Sequence, residues 1–464
     1  MNLTSRFAQL QVLVVLFCLA AARAPDTPAA PPKAAESKLA ESKPAGAKRA
    51  AAGAAAPSAA ARQWPLPSGE ITINLWDSAE QTKARLYKET LLPEYKKLHP
   101  NVTINYESIS TGDMLQKLLV ALSTGTGPEL FVLTDWFMPT YFSKNLLDPV
   151  PPQAFGYKSL QEMVDGYMPG RLDMFINGGK LYAIPYQMNS YSFFLNTRLF
   201  KKAGLDPIKD APKTWEDIVK LNAKLTKKEG DRVVQKGFEM RYAGDHWLAP
   251  MFWSLLYQAG GDVLKEGKPV FNQEAGVKAF EIWKTLTVAP KVSKNTSSSP
   301  YQDFADEQDA IMFGPPNSGA VIELLNPKLK GNYVVVPFVQ LNPDKPVAVM
   351  YSFNLVVNIK TSDEKKKVAW DFIQFATGQP TLWMERTRMI NPVKGWYETP
   401  AAKQVPFIDI FIKDLAHGRP FPRTVHYNEL QGVVARATER IIFQNVDPKR
   451  SLDQAADEFA RASQ

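Results

Sequence analysis

The sequence predicts an α/β protein whose body divides into two domains. Two observations point there. Short apolar or alternating runs of strand length are separated by helical stripes, the pattern of an open sheet with helices on both faces. The body, residues 69–464, is also too long for one small core.

The elements follow in chain order. Residues 1–22 carry Arg6 and then the apolar run Leu10 to Ala22, which is too short to span a bilayer and ends in small residues. A signal peptide is expected, with cleavage after Ala20-Ala21-Ala22 and export to the periplasm or the exterior. Cys18, the only cysteine, lies inside this run behind the bulky Leu16-Phe17, which disfavours a lipid anchor there. Residues 23–68 are Ala, Pro, Lys, Ser and Glu with almost no large apolar side chain, so they are expected to be a disordered tether. Residues 1–69 hold eight Lys/Arg against three Asp/Glu, most of the chain's net charge of +8. The remaining body is near neutral, so no nucleic-acid or membrane partner is expected from charge.

The body opens with the alternating strand Ile71 to Trp76, then a helix from about Glu80 to Leu98 and a strand from Val102 to Tyr106. Met114, Leu115, Leu118, Leu119 and Leu122 form one stripe of a helix over 113–123, which Gly125-Thr126-Gly127-Pro128 stops before the buried strand Leu130 to Leu133. Leu181 to Ile184 and Tyr191 to Asn196 read as two further strands. Between them, Pro185-Tyr186-Gln187-Met188-Asn189-Ser190 reads as a bridge carrying a ring and two amides, with no room for a helix. Met251 to Ala259 is an apolar helix, and helices are expected at Phe407–Leu415, Glu429–Phe443 and Ser451–Ala462. Trp253, Trp283 and Trp370 fall on apolar helical stripes and are assigned to cores.

Several stretches, in order, resemble the solute-binding proteins of ATP-driven sugar importers, the group that includes maltose-binding protein. They are ITINLWDS, TGTGPELFVL, GGKLYAIPYQMNSYSFFLNTRLFKKAGLDPIKDAPKTWEDIVKLNAKL, DEQDAIMFGP and SFNLVVNIKTSDEKKKVAWDFIQFATG, and the resemblance covers nearly all of residues 70–464. It implies a two-lobed periplasmic-binding-protein fold, type II-like, each lobe an open α/β sheet flanked by helices and joined by hinge crossings. By this likeness lobe one is 70–187 plus 354–388 and lobe two is 189–350 plus 393–464, with hinges near 185–190, 349–353 and 389–393. It implies a monomer without cofactor that captures a mono-, di- or short oligosaccharide in the cleft between lobes and delivers it to a membrane permease.

A neutral sugar needs flat rings under its C–H faces and amides, carboxylates or guanidinium groups at its hydroxyls. Trp76-Asp77 and Asp135-Trp136 are expected at the carboxyl ends of strands, where open α/β sheets form crevices. Tyr186 and Asn189 lie on the first crossing; Tyr351, Ser352 and Phe353 lie on the return. His246-Trp247 sit in a polar break before the apolar helix, Asn317 follows Gly314-Pro315-Pro316, and Arg388 precedes the third crossing, where it could fork two hydroxyls. Two departures stand out. Many relatives carry Trp just after the Gly-Pro, where this chain has Pro316, and a small-residue pair on the return, where it has Tyr351-Ser352-Phe353. Both disfavour a long maltodextrin.

Other functions find less support. A glycosidase needs two carboxylates across the sugar, and no motif pairs them. His99, His246, His417 and His426 are not at metal-ligand spacing, and neither a phosphate loop nor a serine elbow is present. A binder of polyamines or glycerol phosphate esters would keep the same fold, with cleft charges of one sign.

Overall fold

The computed structural model describes residues 64–238, 245–288 and 299–463. The expected signal peptide and nearly all of the expected tether lie outside the described residues. Strand β1 (Ile71–Ser78) pairs in parallel with β2 (Val102–Ile109) and with β3 (Leu130–Thr134). Between β1 and β2 the helix begins after Glu80, whose carboxylate accepts the Thr82 and Lys83 N–H groups. It runs as Gln81–Leu86, a π-helical turn Tyr87–Leu91, and Leu92–Leu98. Pro93 accounts for the wide turn: its ring would collide with the Glu89 carbonyl in a regular helix, so the ladder shifts ahead of it.

Next come β4 (Ile184–Ser190), β5 (Ser192–Asn196), β6 (Lys227–Glu229), β7 (Arg232–Phe238), β8 (Asp309–Gly314), β9 (Tyr333–Val336), β10 (Ala348–Val357) and β11 (Gly418–Pro420). The first sheet runs β11-β10-β3-β1-β2, with β4 paired to β10; the second runs β9-β5-β8-β7-β6. Both sheets mix parallel and antiparallel pairs. Helix Asp363–Thr377 covers the first sheet with Val368, Ala369, Trp370, Phe372 and Ile373 buried. The expected C-terminal helices are present as Ile408–Ala416, Tyr427–Ile442 and Pro448–Ala462. Trp253, Trp283 and Trp370 are core residues, each at most 1% exposed.

Three expectations change. The bridge 185–190 is not a break between two strands but part of β4, with every residue buried. Pro185 is tolerated there because the β4–β10 register slips between Phe353 and Asn354, at the point where Pro185 lies opposite Asn354. The return at 349–353 likewise lies within one ten-residue strand, β10. The packed chain also starts before residue 69. Trp64 and Leu66 pack on the core, Trp64 Nε1 donates to Lys367 O at 3.0 Å, and Asn101 donates to Pro67 O and Gly69 O.

This sets the first prediction. Deleting residues 23–63 is expected to leave the melting temperature unchanged, whereas deleting 23–68 removes two apolar anchors and lowers stability by roughly 1–3 kcal/mol. Equal melting curves for both deletions would mean the Trp64 contact contributes nothing.

Candidate functional site

The chain leaves the first sheet for the second at Ser190-Tyr191-Ser192, where β4 ends and β5 begins. β4 and β10 lie antiparallel, with Ser190 opposite Met350, Asn189 opposite Tyr351 and Gln187 opposite Phe353. The segment 389–393 runs beside them: Met188 N–H donates to Ile390 O at 2.8 Å, and Met168 N–H to Pro392 O at 2.8 Å. All three segments expected to cross between lobes therefore meet at one place.

Aromatic rings from distant parts of the chain converge there. Asp135–Phe137 form a short 3₁₀ turn at the carboxyl end of β3. The Trp136 ring stacks on Phe421 at 5.0 Å and lies 5.9 Å from both Tyr351 and Tyr427, with Phe353 edge-on at 6.5 Å. Tyr351 in turn lies 5.4 Å from Tyr191, which meets Phe313 of β8 edge-on at 5.6 Å. Trp136 and Phe353 are half-buried; Tyr351, Tyr191 and Phe421 are buried.

Polar groups lie among these segments. Asp135 Oδ1 accepts the Ser352 N–H at 2.9 Å, while its Oδ2 has no hydrogen-bond partner among the described residues. Ser190 Oγ, Ser352 Oγ, Asn317 Oδ1 and Ser318 Oγ are also buried without a hydrogen-bond partner among the described residues. Both amide atoms of Asn189, which lies opposite Tyr351 across the β4–β10 pair, are buried without such a partner as well. Buried polar atoms are nearly always partnered in folded proteins, so such a concentration marks groups available to something else.

Other expected site residues are engaged internally. Asp77 is fully buried; its Oδ1 accepts from Lys83 Nζ at 2.7 Å and its Oδ2 from the Tyr106 hydroxyl at 3.1 Å. Tyr186 is fully buried too, and its hydroxyl accepts from Lys83 Nζ at 2.9 Å. Through these partners Asp77 and Tyr186 join β1, β2 and β4. Trp76 does not follow β1 but lies within it, half-buried. Arg388 is held within the protein: its Nη2 grips both Glu323 carboxylate oxygens at 2.9 and 2.8 Å, its Nη1 bonds the Tyr333 hydroxyl, and Gly319 gives it room to lie across helix Ser318–Leu325. Asn317 precedes that helix without capping it. The polar break at 245–247 is the first turn of helix Asp245–Gln258, and the side chains of His246 and Trp247 lie outside the described residues.

The family model for bacterial extracellular solute-binding proteins matches residues 78–381, well over half of the chain. The chain belongs to this family. Among curated proteins this solute-binding protein is similar to the arabinooligosaccharide-binding protein of Bacillus subtilis, at 23% identity over 84% of this chain and 92% of that one. It also matches a probable amino-acid ABC transporter periplasmic-binding protein of Sinorhizobium fredii, at 28% identity over 49% of this chain and 52% of that one. Among solved structures it shares its fold with an ABC transporter solute-binding protein from Thermotoga lettingae bound with α-D-tagatose, with TM-score 0.74 and 20% identity over 85% of this chain and 100% of that one. The two-lobed fold implied by the sequence is thereby established.

Sequence reasoning missed several residues around the site of this solute-binding protein: Lys83, Tyr106, Tyr191, Phe313, Phe421, Arg423 and Tyr427. One signal was available. Lys83 stands three and four residues before Leu86 and Tyr87, on the apolar stripe of its helix, where a lysine is out of place. For the rings nothing local distinguished a cluster member from a core filler.

Burial raises the Asp135 carboxyl to about 7, against the opposing pull of the Ser352 N–H and of Arg423; burial likewise raises Asp414 to about 6, opposed by its bonds from Ser192 and the Phe338 N–H. A folded carboxyl that titrates above its unfolded value holds a proton the unfolded chain has released. The stability it confers is complete below about pH 4 and is lost as pH rises through about 7. Between pH 5 and pH 7, Asp135→Asn is therefore expected to flatten the stability profile, by up to about 1.4 kcal/mol per pH unit. Urea melts at several pH values read this directly; parallel profiles for the two proteins would overturn the assignment.

Proposed function

We propose that the protein is the solute-binding component of an ABC importer that captures a carbohydrate between its two lobes and hands it to a membrane permease. The observation that carries this reading is the meeting of half-buried rings, Trp136 and Phe353, with buried polar atoms of Asp135 and Asn189 that lack a partner among the described residues, where the crossing segments join the two sheets. Rings suit the C–H faces of a sugar, and a carboxyl beside an amide that both accepts and donates suits its hydroxyls. The names of similar proteins, an arabinooligosaccharide-binding protein and one bound with tagatose, support the same class.

The mechanism is closure about the crossings. Lobe one is 70–187 plus 354–388, and lobe two 189–350 plus 393–464. A few torsions around Ser190-Tyr191-Ser192, in the β10 segment facing them and in 389–393 absorb the rotation. Ligand favours the closed form to the extent that its contacts are stronger there than in the open one. Export through cleavage of residues 1–22 delivers the protein to the compartment where such a ligand is met.

A thermal-shift panel of mono-, di- and oligosaccharides, amino acids, polyamines and glycerol phosphate esters tests the reading. A true ligand at one hundred times its Kd stabilises the fold by about 2.7 kcal/mol. A selective shift with a sugar is expected. A shift with an amino acid or a polyamine, and none with any sugar, would replace carbohydrate by that class.

A further inference from the structure

We infer that Lys83 is the positioning residue of the binding cleft, tying the end of β1 to the crossing strands β4 and β10 and so holding the ring-bearing wall of lobe one in place. The inference rests on the cleft reading above. Lys83 is 1% exposed. Its ammonium donates to Asp77 Oδ1 at 2.7 Å, Ser78 Oγ at 2.9 Å and the Tyr186 hydroxyl at 2.9 Å, so its three protons meet three acceptors. The same nitrogen lies 5.3 Å from the Tyr186 ring centroid and 5.6 Å from that of Phe353, within cation–π range of both.

These contacts reach three separate segments. Asp77 and Ser78 end β1, Tyr186 is on β4, and Phe353 is on β10 opposite Gln187 of β4. The Asp77 carboxylate extends the tie to β2 through Tyr106. Phe353 passes it on to Trp136, which it meets edge-on. A buried ion pair is a weak source of stability, because apolar residues of the same volume often do as well, but it is directional where apolar contacts are not. Here the directions fix Tyr186 and Phe353 relative to β1. The crossing strands then belong to lobe one up to that point, and bending falls beyond it, toward Ser190 and Met350.

The test compares Lys83→Met with the double variant Asp77→Asn/Lys83→Met in the full chain, by denaturant melts and backbone hydrogen exchange without ligand. Lys83→Met leaves the Asp77 charge buried and unpaired, and is expected to lower stability. The double variant removes both charges and is expected to recover it. A merely structural role would restore exchange along with stability. A positioning role leaves peptides covering 184–190 and 348–357 exchanging at least ten-fold faster than in the wild type, with 192–196 and 309–314 unchanged. Wild-type exchange at the crossing strands of the recovered double variant, or an equal rise in both sheets, would overturn the inference. The exchange measurement uses no ligand, so it fails or succeeds separately from the sugar panel.

Discussion

Trp370→Ala is expected to cost roughly 3–5 kcal/mol of folding stability while leaving the affinity of each folded molecule unchanged. The indole is 1% exposed, in the buried run Val368-Ala369-Trp370 of helix Asp363–Thr377. Its Nε1 donates to Asp148 Oδ2 at 2.9 Å, and its ring meets Phe155 edge-on at 6.3 Å. Asp148 keeps a second partner, Lys366 Nζ at 2.8 Å, so truncation leaves a cavity more than an orphaned charge. Denaturant melts alongside titration calorimetry separate the two quantities. An affinity loss in step with the stability loss would show that this helix supports the cleft and does more than fill the first core.

Trp136→Ala is expected to act on both quantities. A half-buried ring that leaves one face for a ligand contributes on the order of 1–3 kcal/mol to binding, roughly a five- to 150-fold rise in Kd for the sugar that the panel identifies. Its contacts to Phe421, Tyr427, Tyr351 and Phe353 add a cost in stability that an exposed stacking ring would not carry. Trp76→Ala, which removes a half-buried ring within β1, is expected to weaken binding in the same direction. Wild-type sugar affinity in both variants, with stability alone reduced, would place these rings in the core and move the cleft elsewhere.

The sequence by itself determined the α/β class, the order of the principal strands and helices, and the assignment of Trp253, Trp283 and Trp370 to cores. These follow from local periodicity: a period near two or 3.6 is written into neighbouring residues and does not depend on partners. The ordered motifs carried the family as well. The same reading was silent on partners far along the chain. Proline, a ring and two amides suggested a bridge between two strands at 185–190, yet pairing with β10 keeps that segment in one strand, with its register slip accommodating Pro185. Asp77 and Tyr186 looked like cleft groups because nothing local reveals that Lys83 lies between them. Arg388 looked free until Glu323 stood against it. Asp135 and Ser352 are 217 positions apart and hydrogen-bonded. Only the tertiary structure decided these, because hydrogen bonds and ring contacts depend on distance in space, and a sequence records that distance only for residues within a turn or two of each other.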